Sequence, residues 1–102
     1  MDMSSLMKHA QQFQEKLTAI QQELGSKTVT GTAGGGMVTV TVNGRSELVA
    51  ISIEPQAVDP NEVQMLQDLV LAAVNDGLVK AKKLGQEELG KLTGGMNIPG
   101  LF

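Results

Sequence analysis

The sequence predicts an α+β protein in which a three-stranded antiparallel sheet is flanked by two long helices, in the order α-β-β-β-α. Asn43-Gly44 divides a Thr- and Val-rich stretch into two alternating runs, which is typical of a β-hairpin. Helical patterns flank this unit on both sides. Since neither helix can fold back fully onto so small a sheet, we expect an obligate homodimer with projecting helical arms. Such a dimer is a scaffold for binding something large.

The first helix is predicted over residues 4–24. Ser4 or Ser5 can cap its start, and Gly25 can supply the left-handed residue that ends it. Its apolar residues alternate spacings of three and four, which is the a/d pattern of a coiled-coil seam. They are Met3, Leu6, Ala10, Phe13, Leu17, Ile20 and Leu24. So narrow a stripe favours packing against a partner helix.

The sheet is predicted within residues 28–54, with strands at 28–32, 37–42 and 47–54. Both residues of Asn43-Gly44 tolerate the positive φ angles of a two-residue type I′ turn. In the last strand Val49, Ile51 and Ile53 face one way, so one face of the sheet is apolar. The glycine-rich residues 31–36 lack the Gly-Lys-Ser/Thr ending of a P-loop and precede a strand, which favours a hairpin loop over a phosphate cradle.

The second helix is predicted over residues 60–92, with Asp59 as its N-cap, Pro60 at the first position and Glu62 in a capping box. Its first half is apolar almost all round, which fits a helix that lies on the apolar sheet face and touches something behind it. Asn75-Asp76-Gly77 is unusual in mid-helix, and either a buried polar contact or a kink would explain it. Residues 93–102 are predicted to be a flexible tail with apolar residues that can dock, within a single domain of residues 1–102.

The composition excludes several classes of function. The chain of 102 residues has no Cys, Tyr or Trp and only 2 Phe. Thiolate chemistry and Cys-based metal sites are therefore excluded, and base stacking on aromatic platforms is nearly so. No constellation of acid, base and nucleophile is present, so we expect neither an enzyme nor a cofactor. The sequence shows no signal region and no membrane-spanning run, and it is interpreted as cytoplasmic.

The charge distribution leaves two interpretations open. The net charge is −3, whereas nucleic-acid-binding domains are typically basic. Lysines nevertheless cluster late in the second helix, at Lys80, Lys82, Lys83 and Lys91. These lysines either complement the helix dipole or form a shared anion-binding patch. His9 beside Lys8 is interpreted as a surface histidine in preference to a phosphate or base contact.

Several stretches together resemble the YbaB/EbfC family of bacterial nucleoid-associated proteins over nearly the whole chain. Their order and spacing carry the resemblance. They are Leu6 to Leu17 (LMKHAQQFQEKL), Val29-Thr30-Gly31 with the following glycines, Val40 to Gly44 (VTVNG), Asp68 to Asp76 (DLVLAAVND) and Thr93 to Phe102 (TGGMNIPGLF). The resemblance implies a tweezer-shaped homodimer that binds double-stranded DNA without catalysis, in the cytoplasm and at the nucleoid. It also implies replication or recombination proteins as binding partners.

In this family DNA contact is attributed to charged and polar residues on the two helices. Carried over residue by residue, the resemblance points to Lys8, His9, Lys16, Lys80, Lys82 and Lys83, with Lys91 as a further candidate. The two helices carry lysines and no arginines, so bidentate base reading by Arg is not available from them. We therefore expect backbone contact with weak sequence specificity.

A second hypothesis is a non-catalytic adaptor that recruits a replication or recombination factor. It rests on the apolar overhang of the helices and on the apolar residues of the tail between Met96 and Phe102. In that case DNA binding would be incidental.

Overall fold

The computed structural model describes residues 2–92, which fold into two helices and one sheet. The elements are α1 (Met3–Ser26), β1 (Thr28–Ala33), β2 (Val38–Asn43), β3 (Leu48–Ile53), a 3₁₀ turn (Pro55–Ala57) and α2 (Val63–Leu92). The strands pair antiparallel in the order β1-β2-β3. This α-β-β-β-α order confirms the predicted α+β class. The tail predicted over residues 93–102 lies outside the described residues.

The core lies between the central strand and α2. Val38, Val40 and Val42 alternate with threonines along β2, and all three valines are fully buried. Burial of a valine side chain contributes roughly 1.5–3 kcal/mol, so these three residues are a main source of stability. Ala73, Gly77 and Ala81 are spaced four residues apart and give α2 a narrow buried strip. These small side chains let the helix lie close to β1 and β2.

The turn between β2 and β3 differs from the predicted type I′ turn. Neither Asn43 nor Gly44 has a positive φ, and the left-handed residue is Ser46, with φ of 63°. The Asn43 side chain instead organises the loop, because its Oδ1 accepts hydrogen bonds from the backbone N–H groups of Arg45 and Glu47, each at 3.0 Å. The Ser46 N–H also donates to the Asn43 carbonyl, which makes this a three-residue loop.

Both predicted helix starts were wrong in detail. Asp2 caps α1, since its Oδ1 accepts from the Ser5 N–H at 2.7 Å, and neither predicted serine does so. The α2 helix begins at Val63, three residues later than predicted. Asp59 forms a turn before the helix, in which its Oδ1 accepts from the Asn61 N–H at 2.9 Å.

The end of α1 also differs from the prediction. Gly25 has no positive φ, and the helix continues to Ser26. The following residue, Lys27, is extended, and its N–H donates to the Glu23 carbonyl. The helix therefore ends without a left-handed glycine.

The described part of the molecule is elongated, with extents of 70 × 21 × 16 Å. Leu24 packs against Gly44, and the carbonyl oxygen of Gly44 faces Gly85, so α1 ends beside the last third of α2. From this junction α2 runs back about 33 Å to Val63, while α1 runs about 32 Å to Met3. Only helices that extend in opposite directions from the junction account for the 70 Å length. The exposed residues 3–16 therefore form a projecting arm.

Candidate nucleic-acid interface

The arm carries three of the predicted site residues. Lys8, His9 and Lys16 are exposed, and within residues 2–92 none of their side chains forms a hydrogen bond or an ion pair. His9 and Lys16 are seven residues apart, which is two helical turns, so they share one side of α1, whereas Lys8 lies on another side. The arm therefore presents cationic and polar groups around more than one side of the helix.

An apolar stripe runs along the same arm. Met3, Leu6, Met7 and Phe13 are all exposed, Met3 at 75% and Phe13 at 41%. The predicted seam is therefore present on the helix and is not covered by any described part of the same chain. Nearer the junction, Leu17 and Ile20 of the same stripe become half-buried.

Two of the α2 lysines are similarly free. Lys82 and Lys83 are exposed, and neither pairs with another group in the part of the chain that the structure describes. Adjacent helical residues point about 100° apart, so these two ammonium groups flank the exposed side of α2. Neither side chain forms an ion pair within residues 2–92, so both ammonium groups are open to an approaching anion.

Lys80 is placed differently from its neighbours. Its Nζ donates to the Thr30 carbonyl at 3.1 Å and to Asp76 Oδ2 at 3.0 Å. The same Asp76 oxygen accepts from the Thr32 N–H at 3.0 Å. Asp76 and Lys80 thus satisfy the outward backbone groups of β1, which is an edge strand. The hydrogen bond from the Thr32 N–H, and then that from Lys80, lowers the pKa of Asp76.

This edge contact explains the unusual Asn75-Asp76-Gly77 motif. Neither predicted alternative holds as stated: α2 continues through the motif as one helix, and the polar contact of Asp76 lies at an exposed strand edge and is not buried. Gly77 is buried where the helix meets the sheet. Asn75 remains exposed on α2.

A cluster of charged groups joins α1 to α2. Lys27 Nζ lies 3.0 Å from Glu88 Oε1 and 3.3 Å from Glu23 Oε1, and Lys91 Nζ lies 3.2 Å from the same Glu88 oxygen. The Lys27 ammonium, and then that of Lys91, lowers the pKa of Glu88. Hydrogen bonds to Glu88 and then to Glu23 raise the pKa of Lys27. Lys91, the further candidate for DNA contact, therefore forms an ion pair with Glu88 within the chain.

Sequence reasoning missed this cluster. Lys27 and Glu88 are 61 residues apart, and neither lies in a motif. The spacing of Glu88 and Lys91, which is i and i+3 on one helix, is a signal that the sequence does contain. It predicts the local pair but not the contact with Lys27.

The cations of the chain fall into two groups. Four of the 8 are engaged with carboxylates: Lys27, Arg45, Lys80 and Lys91. The other four, Lys8, Lys16, Lys82 and Lys83, are called the free lysines below. Given the junction of Leu24 with Gly85, the free lysines extend over about 27 Å along the molecule. This length corresponds to about eight base pairs of a duplex at 3.4 Å each.

Three acids at the start of α2 lie far from the free lysines. Asp59, Glu62 and Asp68 are at the start of α2, and even Asp68 is about 22 Å along the helix from Lys83. That separation exceeds the Debye length of about 8 Å at physiological salt. These three acids therefore contribute little to the field around the free lysines, whereas Glu15 beside Lys16 and Glu87 one helical turn after Lys83 lie close to them.

The described residues contain an apolar groove and no cluster of metal ligands. Among residues 2–92, no group of three or more His, Asp or Glu side chains is arranged to hold a metal ion. A groove on α2 is lined by Leu66, Gln67, Val70, Leu71 and Val74 and is almost wholly apolar. No helix within that range is long and apolar enough to span a bilayer.

An apolar surface also remains open on the sheet. The register places Ile51 and Ile53 opposite Val40 and Val38, and therefore on the sheet face that α2 covers. The helix lies over β1 and β2 instead, so Ile51 is 46% exposed and Ile53 37%. The apolar face of the sheet is thus only partly covered by its own chain.

Comparison with known proteins gives a consistent match over nearly the whole chain. The sequence pattern of the YbaB/EbfC DNA-binding family matches residues 1–96. A nucleoid-associated protein of Pelotomaculum thermopropionicum is 52% identical over 101 residues, which cover 99% of this chain and 96% of that protein. A nucleoid-associated protein of Desulfotalea psychrophila is 55% identical over 101 residues, with 99% and 95% covered.

A solved structure has the same fold. The crystal structure of an uncharacterised protein from Helicobacter pylori superposes with a TM-score of 0.81 at 24% sequence identity. The match covers 91% of this chain and 98% of that one. Together with the sequence matches, which identify a binding protein and not an enzyme, these findings show that the chain belongs to the YbaB/EbfC DNA-binding family.

Proposed function

We propose that this protein is a nucleoid-associated protein that binds duplex DNA as a homodimer, through contacts of its free lysines with phosphates. The observation that carries the proposal is the division of the cations. Four are held by carboxylates, and the four that are not lie along one elongated body. His9, exposed on the arm between two of them, adds a hydrogen-bonding group to the same surface.

Weak sequence specificity follows from the residue types. Lysine ammonium groups act as point charges and favour phosphates, whereas bidentate reading of guanine is done best by Arg. The single arginine of the chain, Arg45, lies in the β2–β3 loop and pairs with Glu47 at 3.2 Å. Affinity should accordingly depend more on salt than on base sequence.

The homodimer is supported by the open apolar surface. Leu48, Ile51 and Ile53 on β3 are exposed, and the groove of α2 is a second open apolar surface. A second copy has the same apolar surface to offer, which is the condition for a self-complementary contact with two-fold symmetry. A dimer would also double the number of free lysines that one duplex can meet. The nucleoid, in the cytoplasm of a bacterium, is the corresponding location for the protein.

A titration of a fluorescent duplex of about 30 base pairs tests the proposal. Fluorescence anisotropy at several salt concentrations gives the dissociation constant and its salt dependence. The proposal predicts binding at low salt that weakens steeply as salt is raised, with similar affinity for unrelated sequences. Absence of binding at low salt with micromolar protein would reject it.

The adaptor hypothesis retains one specific observation in its favour. The exposed stripe of Met3, Leu6 and Phe13 is apolar and offers nothing to a phosphate. An adaptor that uses this stripe predicts that replacing the free lysines by Gln leaves partner binding intact, whereas Leu6→Ser with Phe13→Ser abolishes it. The DNA-binding proposal predicts that replacing the free lysines by Gln abolishes DNA binding.

A further inference from the structure

The direction of the arm is determined at a short junction. Residues 3–16 of α1 are exposed, and Leu24, in the last turn, is the one residue of α1 that is buried. An arm fixed at one end acts as a lever. A rotation of about 10° at the junction would move Lys8, about 24 Å away along α1, by about 4 Å. That displacement is larger than the length of one ammonium-to-phosphate hydrogen bond.

Backbone contacts fix the position of the junction. The Gly44 N–H donates to the carbonyls of Leu24 and Lys27, at 2.8 and 2.9 Å, and Asn43 Nδ2 donates to the Gly25 carbonyl at 3.3 Å. All of these contacts come from one loop and lie at the same point of α1. They hold the end of the helix in place but leave its angle relative to α2 to other groups.

The side-chain contact that bridges the two helices at this point runs through Glu88. Its Oε1 lies 3.0 Å from Lys27 Nζ, which in turn lies 3.3 Å from Glu23 in the last turns of α1. The Glu88 side chain is only 13% exposed, and Lys91 Nζ also contacts the same oxygen, at 3.2 Å. Because Glu23 belongs to α1 and Glu88 to α2, this chain of contacts resists rotation of the arm.

We propose that Glu88 is a positioning residue for DNA binding, which sets the angle at which the arm presents Lys8 and Lys16 relative to Lys82 and Lys83. The inference rests on the proposed function, because it concerns the same contacts with DNA. It assigns a carboxylate, which by its charge repels DNA, a role that strengthens binding.

The direction in which DNA affinity changes when Glu88 is replaced distinguishes a positioning role from a purely electrostatic effect. Glu88→Gln removes one negative charge, which by itself would strengthen DNA binding. The matched control is Glu87→Gln, which makes the same charge change at the adjacent exposed residue, where no ion pair forms within residues 2–92. We expect Glu88→Gln to weaken binding about fivefold and Glu87→Gln to leave it equal or stronger. Lys27→Met should weaken binding as Glu88→Gln does.

A distance measurement reads the position of the arm directly. The chain has no cysteine, so Gln11→Cys on the arm and Asn75→Cys on the exposed face of α2 give two clean spin-label sites. Doubly labelled chain diluted into unlabelled chain reports distances within one protomer. We expect a narrow distance distribution in the parent and in Glu87→Gln, and a broad or shifted one in Glu88→Gln. The measurement is made well below the unfolding midpoint of each variant, so that a change in stability is not mistaken for arm motion.

The binding and distance measurements together show whether the positioning role of Glu88 fails or the proposed DNA-binding function fails. If Glu88→Gln and Glu87→Gln give the same affinity and the same distance distribution, Glu88 has no positioning role. A broadened arm with unchanged affinity would equally overturn the proposal, because the arm angle would then not matter for DNA. If the parent protein binds no DNA, the proposed function fails while the distance measurement still reports whether Glu88 holds the arm.

Discussion

Gly31 of β1 and Gly77 of α2 face each other so closely that a side chain on Gly31 would collide with the backbone of α2. A Cβ built on Gly77 would lie 3.6 Å from the Gly31 Cα, and one built on Gly31 would collide with the backbone nitrogen of Gly77 and the carbonyl oxygen of Ala73. The two glycines therefore set the distance between helix and sheet. That distance allows Asp76 and Lys80 to reach the edge of β1.

The two glycines should respond differently to substitution by alanine. Gly31→Ala meets only backbone atoms, so we expect it to lower the free energy of unfolding by about 3 kcal/mol. Gly77→Ala meets the ends of the Val42 and Val40 side chains, at 2.8 and 3.0 Å, which can shift. Its better helix propensity offsets part of the crowding, and we expect a decrease of about 1 kcal/mol or less. Urea unfolding of both variants, followed by circular dichroism, measures the difference. Equal decreases would contradict the packing described here.

Asp76 should make stability depend on pH in the acid range. Its pKa lies below the ordinary value of 3.8 in the folded protein, so its contribution is fully present above that value. The contribution disappears as the pH falls through the lowered pKa, because the unfolded chain then binds the proton first. Asp76→Asn should flatten the fall of the melting temperature below about pH 5.

Asp68→Asn is the matched control for that experiment. Asp68 lies on the same helix, and its one hydrogen-bond partner within residues 2–92 is the side chain of Gln64. We expect its melting temperature to follow the parent curve at every pH. If Asp76→Asn followed that curve as well, the edge contact would contribute nothing measurable.

Substitutions of Lys80 and Lys83 should have different effects, one on thermal stability and the other on DNA binding. Lys83 is free, so Lys83→Gln is expected to weaken DNA binding and to reduce the slope of log affinity against log salt by about 0.9 for each phosphate that is no longer neutralised. Lys80 already holds Thr30 and Asp76, so Lys80→Gln is expected to lower the melting temperature and to leave the slope nearly unchanged. Fluorescence anisotropy and thermal melting on the same preparations test both. A larger slope change for Lys80→Gln than for Lys83→Gln would reverse the assignment.

The open apolar face should be required for dimer formation. A charge at Ile51 would be buried on association without a partner, so Ile51→Asp is expected to weaken the dimer at least about a hundredfold. Ser52→Asp places the same charge on the opposite face of the same strand and serves as control. Sedimentation velocity over a range of concentrations measures both. If Ile51→Asp remains dimeric at the concentrations at which the parent does, the dimer uses another surface.

Much of this architecture could be predicted from local patterns. Alternation of Val and Thr in β2 reflects the face that this strand buries, and the 3.5-residue repeat of α1 is typical of a helix even though most of its stripe is exposed. Element types and order were therefore predicted correctly. The turn at Asn43-Gly44 was not, because the Asn43 side chain captures the Arg45 and Glu47 N–H groups and moves the left-handed residue to Ser46. These hydrogen bonds depend on the conformation of the whole loop and not on the Asn43-Gly44 dipeptide alone.

The sequence predicted the lysines of the candidate site as a set, but it did not predict which of them are paired within the chain and which are free. Lys80, Lys82 and Lys83 are equivalent in sequence terms, and only the packing of α2 against β1 places Lys80 at a strand edge. Likewise the contact between Lys27 and Glu88 spans 61 residues and depends on where α1 ends. Contacts of this kind are set by tertiary geometry, which local pattern does not contain.

The most direct test is the salt dependence of DNA binding for the parent protein and for a variant in which Lys8, Lys16, Lys82 and Lys83 are all replaced by Gln. If these four lysines supply the phosphate contacts, the slope of log affinity against log salt should fall by up to about 7 per dimer, and binding at moderate salt should disappear. A variant that folds and dimerises like the parent and keeps the same slope would contradict the account.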